Sequence, residues 1–349
     1  MKQKWSKLFI LVMVTALFLA ACSGGTSSDG SEEKVTASSS GKPQILRISI
    51  GVNDQHPEYE GIEKFKELVE SKTDDFEIEL YHTGQLADDR SAIEMLQLGS
   101  LDITIPSTSP LVNFVKEFGV FDLPFTIPNE VVADELLDGE FGDKMLDMVE
   151  DQNLVALAWW ENGFRNLTND IRPVAKIEDV KGLKIRTMEN EIHLDAWKAL
   201  GANPTPMAFT ELFTAMQQGT VDGQENPFPT IELSQYAEVQ KHVSNTNHVY
   251  TPFIFLFSKT IWDKFTEEQQ TILSEAAVEA GKFNRQRNRE VADESLEKLK
   301  KSMTYTEVTP EEHKRFQKAV KPVIDKHADG IGAELVDEYL TAIEEIAGN

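Results

Sequence analysis

Apolar and polar residues alternate in the stretch GLKIRTMEN, where Lys184 separates Leu183 from Ile185 and Arg186 follows. A period of two is typical of a half-buried strand, with one face in a core and the other available for contact with solvent or another molecule. The pattern therefore predicts that Arg186 points away from Leu183 and Ile185.

From Gln44 onward, short apolar strands alternate with amphipathic helices. The first predicted elements form a β-α-β-α-β unit at residues 45–51, 58–70, 76–81, 88–98 and 101–105. Such alternation favours an α/β fold with mainly parallel sheets. Ligands of open α/β sheets collect outside the carboxyl ends of the strands. At those predicted ends lie Asn53, His56, Gln85 and Ser107.

A second α/β unit is predicted between about residues 163 and 245, from the strand-like segments FRNLT, LKIRT and, less clearly, TVDG. Helices are expected near residues 192–200 and 210–218, and a long apolar strand at residues 248–258.

Two capping boxes predict where later helices begin. Thr266 and Gln269 precede a helical pattern that continues to about Leu299, and the stretch TPEE, at residues 309–312, precedes the C-terminal helices. A helix of about 34 residues would be roughly 50 Å long. Because that length exceeds either unit, we expect the helix to brace both.

The N-terminal segment has a different character. Three lysines precede an apolar run at residues 8–21, which is too short to span a bilayer comfortably, so residues 1–21 are predicted to be a signal peptide. The run ends in LAAC, which resembles a bacterial lipobox and predicts that Cys22 is lipidated. Residues 22–42 are rich in Gly, Ser and Thr and are predicted to form a flexible tether.

The charge of the chain limits its partners. The formal net charge is -25, and removal of residues 1–21 would take away three lysines and no acidic residue. Nucleic acid and anionic lipid surfaces are therefore poor partners, and no binding of nucleic acid is expected. A small anion is not excluded, because a cation inside a cleft is screened far less than surface charge, but its site would need its own arginines.

Enzymatic signatures are absent from the sequence. It contains no G-x-S-x-G, H-E-x-x-H, G-x-x-x-x-G-K-[ST] or G-x-G-x-x-G motif. The seven histidines are scattered, and Cys22 is the single cysteine, so neither a metal site nor a disulfide is expected. We predict no enzymatic activity and no cofactor.

Four motifs between residues 163 and 227 carry a resemblance to a known family. GFRNLTN contains Arg165, GLKIRTMEN contains Arg186, MAFTELF contains Phe209 and QENP contains Asn226. With them the chain resembles the substrate-binding subunit of tripartite ATP-independent periplasmic (TRAP) transporters, the DctP-type family, from about Ile45 into the C-terminal helices.

The resemblance implies a two-lobed α/β fold of the periplasmic-binding-protein kind, with crossing strands and a long helix bracing both lobes. Lobe 1 is expected at residues 43–162, completed by about 251–285. Lobe 2 is expected at residues 163–250, completed by C-terminal helices at about 286–349.

The resemblance also implies roles for these residues. Arg186 would form a bidentate salt bridge to the substrate carboxylate, for which a planar guanidinium is suited. Arg165 would be a second donor, Asn226 would hydrogen-bond the same end of the substrate, and Phe209 would pack against it.

The other lobe is expected to set the specificity. Family members that bind sialic acid carry Glu, Arg and Gln at the positions of Ser107, Pro110 and Phe253, so sialic acid is not expected here. Hydroxyl partners for a sugar acid, a uronate or an aldonate, are expected among Asn53, Asp54, His56, Asp89, Ser107 and Trp160. Trp159 and Trp160 alternate on a strand, so one of them should face the core and the other the cleft or solvent, and Trp160 is taken as the candidate for the site. A C4-dicarboxylate is the alternative, but it would need a second cation, for which Arg90 is the nearest candidate.

The expected protein is thus a monomeric, extracytoplasmic lipoprotein, anchored to the membrane at Cys22. It would deliver an organic acid to the small and large membrane subunits of a TRAP permease, driven by an ion gradient. A receptor that reports to a membrane sensor, an extracytoplasmic enzyme acting on an organic acid and a structural surface lipoprotein are the other interpretations of the same features.

Overall fold

The structure of the protein, a computed structural model, describes residues 42–348. The predicted signal peptide, Cys22 and nearly all of the predicted tether lie outside this range. Among the described residues, no helix combines the length and the apolar character needed to cross a membrane.

The first part of the described chain contains β1 (Gln44–Ser49), α1 (Pro57–Lys72), β2 (Phe76–Tyr81), α2 (Asp89–Gln97), β3 (Ile103–Thr104), α3 (Thr108–Leu111), α4 (Glu130–Leu137), α5 (Glu140–Asp147), β4 (Leu154–Phe164) and short 3-10 turns at Lys116–Asp122 and Glu150–Gln152. The middle contains β5 (Asn166–Asn169), α6 (Ile177–Val180), β6 (Lys184–Thr187), α7 (Glu191–Ala199), β7 (Asn203–Pro206), α8 (Phe209–Gln217), β8 (Gly223–Asn226), α9 (Phe228–Leu233), a 3-10 turn at Tyr236–Glu238 and β9 (His242–Ser244). The last part contains β10 (Tyr250–Ser258), α10 (Lys259–Trp262), α11 (Glu267–Ser302), β11 (Thr304–Thr306), α12 (Pro310–Ile331) and α13 (Ala333–Ala347).

The first sheet has the strand order β2-β1-β3-β10-β4. Its first three strands are parallel, as the β-α-β-α-β pattern predicted, and β10 runs antiparallel to both β3 and β4. In β1, Leu46 and Ile48 are fully buried, which agrees with a period of two. The predicted strand at residues 101–105 is shorter in the structure, where only Ile103 and Thr104 pair.

The second sheet has the order β11-β9-β5-β8-β6-β7. Arg186 of β6 lies beside Gln224 of β8 and Thr205 of β7, and both pairings are parallel. The segment TVDG, a possible strand from its sequence, is largely a turn, and β8 begins only at Gly223.

Two crossing strands and one long helix join the sheets. The chain leaves the first sheet at the end of β4 and enters the second at β5 with only Arg165 between them, and it returns to the first sheet through β10. The 36 residues of α11 span about 54 Å. Leu273 near its start packs into the core of the first sheet, and Leu299 near its end packs against the second sheet. The predicted bracing role is therefore confirmed.

The C-terminal helices pack into the largest hydrophobic core. Phe316 of α12 and Tyr339 of α13 lie in one cluster with Phe121 of the first half and Trp197 of α7. These helices thus contact elements from both halves of the molecule, while the exact lobe boundaries remain a prediction.

Caps define the beginnings of the long helices. Thr266 and Gln269 form both hydrogen bonds of the predicted capping box at α11. At α12 only half of the predicted box forms. The side chain of Thr309 accepts from the backbone of Glu312, but the carboxylate of Glu312 bonds Arg315 instead.

The expectation that one member of the tryptophan pair faces the cleft or solvent is wrong. Trp159 and Trp160 point to opposite faces of β4, yet both are buried because both faces are covered. Trp159 donates to the carbonyl of Gly142 near α5, at 3.2 Å. Trp160 donates to the carbonyl of Ala277 in α11, at 3.1 Å.

Candidate functional site

A cavity between the two sheets contains about 550 Å³ of space that protein atoms do not fill, part of it open to solvent. Six of the ten predicted substrate-binding residues line it: Arg186, Arg165, Asn226, Phe209, Asp89 and Ser107. Asn53, Asp54, His56 and Trp160 are not among its lining residues.

Arg186 is a buried cation that forms no salt bridge within the described part of the chain. Its side chain extends from β6, while the neighbouring Ile185 is in the hydrophobic core. Nε and Nη2 both donate to the carbonyl oxygen of Met207, at 2.9 and 2.7 Å, and Nη1 has no hydrogen-bond partner among residues 42–348. Burial lowers the pKa of Arg186 to about 10, so the guanidinium is still charged at neutral pH. An unpaired charge and a vacant N–H group are what a carboxylate ligand requires.

Arg165, between β4 and β5, is already neutralised. Its Nε and Nη2 donate to the two carboxylate oxygens of Glu225, at 2.5 and 3.0 Å, and Nη2 also reaches Oδ1 of Asn226, at 3.0 Å. Burial acts to raise the pKa of Glu225, but the Arg165 charge and the hydrogen bonds from His248 and Arg165 outweigh it, so this pKa lies below its ordinary value. Nη1 of Arg165 has no partner in the described part of the chain, so Arg165 can still donate one hydrogen bond to a ligand.

Asn226 and Phe209 complete this side of the cavity. Asn226 is the last residue of β8, at the carboxyl end of a parallel pair where ligands are expected. Its Nδ2 donates to the side chain of Gln224, which fixes the amide orientation. Phe209 is the first residue of α8, is partly exposed and supplies an apolar wall.

Acidic and hydroxyl groups form the opposite wall. Asp89, the first residue of α2, accepts from the backbone N–H of Ser107 at 3.3 Å. Burial raises the pKa of Asp89 to about 6. The Ser107 hydroxyl is buried and has no partner within residues 42–348.

His56 and Asn53 connect the two halves of the molecule beside the cavity. Nδ1 of His56 accepts from the backbone of Glu58 at 3.1 Å and caps α1, so Nε2 carries the proton and donates to Oγ1 of Thr230, at 3.1 Å. Burial lowers the pKa of His56 to about 3, so the ring is neutral. Nδ2 of Asn53 donates to the carbonyl of Leu233 at 2.8 Å. Both contacts reach α9, since this helix lies against the entrance to α1.

The structure does not bring Trp160 to the cavity. The indole lies so close to Gly61 of α1 and Gly281 of α11 that a Cβ at either position would overlap it. A strand residue sandwiched between two helices packs in the core, and period-two alternation alone cannot reveal this.

Other lining residues went unrecognised in the sequence. They include Glu58, Asn162, Met188, Glu189, Met207 and Thr230. Glu58 follows Pro57 at a helix start, which was the available signal, but acidic residues are common in first turns for reasons of helix stability. Arg90 also lines the cavity, but its side chain is largely exposed and lies near Glu94 and Glu189, at 3.6 and 3.7 Å. No cluster of potential metal ligands occurs among residues 42–348.

Residues 48–330 match the family model described as bacterial extracellular solute-binding protein, family 7, also called DctP. This chain belongs to that family. Its members are transport solute-binding proteins and not enzymes, as the sequence predicted.

Similar proteins agree with this assignment. A solute-binding protein of Verminephrobacter eiseniae is 37% identical over 299 residues, which cover 85% of this chain and 89% of that protein. The sugar acid binding protein DctPAm from Advenella mimigardefordensis, solved in complex with galactonate, is 40% identical with a TM-score of 0.86, covering 87% of this chain and 99% of that chain. A TRAP periplasmic solute binding protein from Polaromonas sp JS666, bound to D-erythronate, is 39% identical with a TM-score of 0.82, covering 85% and 98%. The predicted family and the two-lobed fold are thereby confirmed.

Proposed function

We propose that this protein captures a sugar acid by its carboxylate and delivers it to the membrane subunits of a TRAP transporter. The observation that carries the proposal is Arg186, a buried guanidinium that forms no salt bridge among residues 42–348 and whose Nη1 has no hydrogen-bond partner there. A carboxylate there gains charge-assisted hydrogen bonds and compensates a charge that is otherwise buried alone. Arg165 and Asn226 contribute donors at the same end, and Phe209 packs against the carbon chain.

The sugar-acid assignment has two supports. Galactonate and D-erythronate, the acids in the two similar structures, each carry one carboxylate and several hydroxyl groups. In this chain, Ser107 and Asp89 line the wall opposite Arg186 and offer hydroxyl and carboxyl partners. No second buried and unpaired cation lines that wall in the described chain, so a C4-dicarboxylate would leave one charge uncompensated.

The proposed cellular role follows the family. The protein would act outside the cytoplasm as a monomer, held to the membrane by a lipid at Cys22, and would pass its ligand to the small and large permease subunits. Ligand binding would favour the closed form by its differential affinity for the closed and open forms.

A binding experiment tests the function. The purified protein is titrated calorimetrically with galactonate, D-erythronate, galacturonate and succinate, and its thermal unfolding is measured with each acid. We expect saturable binding of a sugar acid and a higher unfolding temperature, because ligand at 100 times Kd stabilises the folded state by about 2.7 kcal/mol. Tightest binding of succinate would instead identify a dicarboxylate receptor, and no response to any acid would contradict the proposal.

The residue-level prediction concerns Arg186. Arg186→Lys removes the bidentate geometry and should weaken binding of the acid about 100-fold or more, since each charge-assisted bond contributes about 1.5–3 kcal/mol. The matched control is Arg315→Lys, at an exposed position paired with Glu178 far from the cavity lining, which should bind as the wild type does. An affinity of Arg186→Lys within twofold of the wild type would remove Arg186 from the site.

A further inference from the structure

Glu58 is a buried acid on the cavity wall that the proposed capture mechanism does not use. It lies in the first turn of α1, only 1% exposed, and lines the same cavity as Arg186. Its Oε1 has no hydrogen-bond partner among residues 42–348. A buried oxygen without a partner is costly, and here it borders the space where a ligand would lie.

The surroundings of Glu58 favour its uncharged form. Within the described chain it forms no salt bridge, unlike Glu225, which is paired with Arg165. The neighbouring His56 is neutral, and the nearby acid is Asp89. Burial, followed by the negative charge of Asp89, raises the pKa of Glu58 well above its ordinary value. The start of α1 acts in the opposite sense, because the N-terminal end of a helix favours a negative charge.

A protonated carboxyl group offers one O–H donor and one carbonyl acceptor. A hydroxyl group of a sugar acid can accept a hydrogen bond from the carboxyl O–H or donate one to the carboxyl C=O. An ionised second carboxylate matches this wall poorly, because it would lie beside Glu58 and Asp89. Arg186, whose charge acts on Asp89, is already engaged by the first carboxylate in the proposed function.

We propose that Glu58 is a specificity-determining residue that hydrogen-bonds, as an uncharged acid, to a hydroxyl group of the bound ligand. The inference rests on the proposed function, in which the ligand carboxylate lies at Arg186. In this arrangement, Glu58 selects monoacids that carry hydroxyl groups, at the wall of the cavity opposite Arg186.

Two substitutions separate hydrogen bonding from charge. Glu58→Gln keeps a donor and an acceptor of nearly the same shape but cannot ionise, whereas Glu58→Met keeps the length and removes both. For the sugar acid that binds the wild type most tightly, we expect Glu58→Gln to bind within about threefold and Glu58→Met about tenfold more weakly. Binding of hexanoate, a six-carbon acid without hydroxyl groups, should be equal in the wild type and Glu58→Met. A merely structural role would weaken both ligands alike.

The opposite results are equally definite. Equal losses in Glu58→Gln and Glu58→Met would show that Glu58 acts as an anion, and unchanged affinity in Glu58→Met would show that it does not contact the ligand. If Glu58→Met does not fold, Glu58→Gln decides alone: its affinity should match that of the wild type from pH 6 to pH 8, and a growing difference would overturn the proposal. Arg186→Lys in the same assay keeps the two questions separate, because its loss of binding tests the capture of the carboxylate and not the role of Glu58.

Discussion

At the scale of single residues, the two arginines of the site differ in a property that their sequence motifs do not reveal. Arg165 forms a salt bridge with Glu225, and Glu225 also accepts a hydrogen bond from His248, at 3.0 Å. The side chain of Arg186 donates to the carbonyl of Met207 and to no other group among residues 42–348. Arg165 therefore acts mainly as a rigid donor, and Arg186 supplies the net positive charge that attracts the ligand.

The pair of Arg165 and Glu225 should matter more for stability than for charge attraction. Glu225→Gln leaves Arg165 buried without its anion and should lower the free energy of unfolding by about 3–5 kcal/mol, measured by urea denaturation at pH 7. Glu297→Gln, which breaks the exposed pair with Lys300, is the control and should change stability little. Equal midpoints for the two variants would contradict the assignment.

The same pair predicts a pH dependence. The pKa of Glu225 is lower in the folded protein than its ordinary value of 4.5. Its ionised form therefore stabilises the fold at pH values above 4.5, and this contribution is lost as the pH falls further. Glu225→Gln should lack this part of the loss in acid.

At the scale of elements, the contacts of α9 with His56 and Asn53 form a latch beside the cavity. His56 at the start of α1 donates to Thr230, and Asn53 donates to the carbonyl of Leu233. The two bonds join the segment between β1 and α1 to helix α9, which packs with the second sheet. Such bonds exist only while the two halves are close, so they stabilise the arrangement in which the ligand is enclosed.

Removal of one latch bond should accelerate ligand release. Asn53→Ala is expected to weaken affinity about five- to tenfold, mainly through the dissociation rate, because one net hydrogen bond of about 1 kcal/mol is lost from the closed form. Stopped-flow displacement measures this rate. Asn203→Ala, which removes a bond to Gly182 within the second half of the molecule, should leave it unchanged. Identical rates of ligand dissociation from the wild type and Asn53→Ala would show that this hydrogen bond does not stabilise the closed form.

At the scale of the whole molecule, the body at residues 42–348 contains the complete candidate cavity. The anchor predicted at Cys22 precedes it in sequence. Attachment and binding should therefore be separable. The acidic net charge of the chain disfavours attachment to the membrane through the protein surface, since anionic membranes repel it.

A substitution at Cys22 tests the anchor. Cys22→Ala should move the protein from the membrane fraction to the soluble or secreted fraction, and from the detergent phase to the aqueous phase in a partition experiment. Ser28→Ala serves as the control in the predicted tether and should stay with the membrane. Both variants should bind the acid with the affinity of the wild type. Retention of Cys22→Ala at the membrane would disprove lipid attachment at this residue.

Local patterns predicted most of the elements correctly. The strands β1 and β2, the helix α1 and the capping box of α11 follow from short-range periodicity and from hydrogen bonds between residues three apart. The family motifs likewise directed attention to Arg186, Arg165, Asn226 and Phe209, all of which line one cavity. The contacts of residues whose partners are distant in sequence could not be predicted from local patterns. The partner of Asn53 is 180 residues away and that of His56 is 174 residues away, so they could not be recognised as a latch.

The sequence by itself determined the α/β class, the family and the requirement that an anion site be built from local arginines, because periodicity, motifs and charge are properties of the chain alone. Only the tertiary structure decided which of the two arginines forms no salt bridge among residues 42–348, that both tryptophans are buried, and that Glu58 lines the cavity. Burial and long-range pairing set these outcomes, and both arise when distant segments meet. Burial thus leaves Arg186 charged at neutral pH, whereas it favours the uncharged form of Glu58.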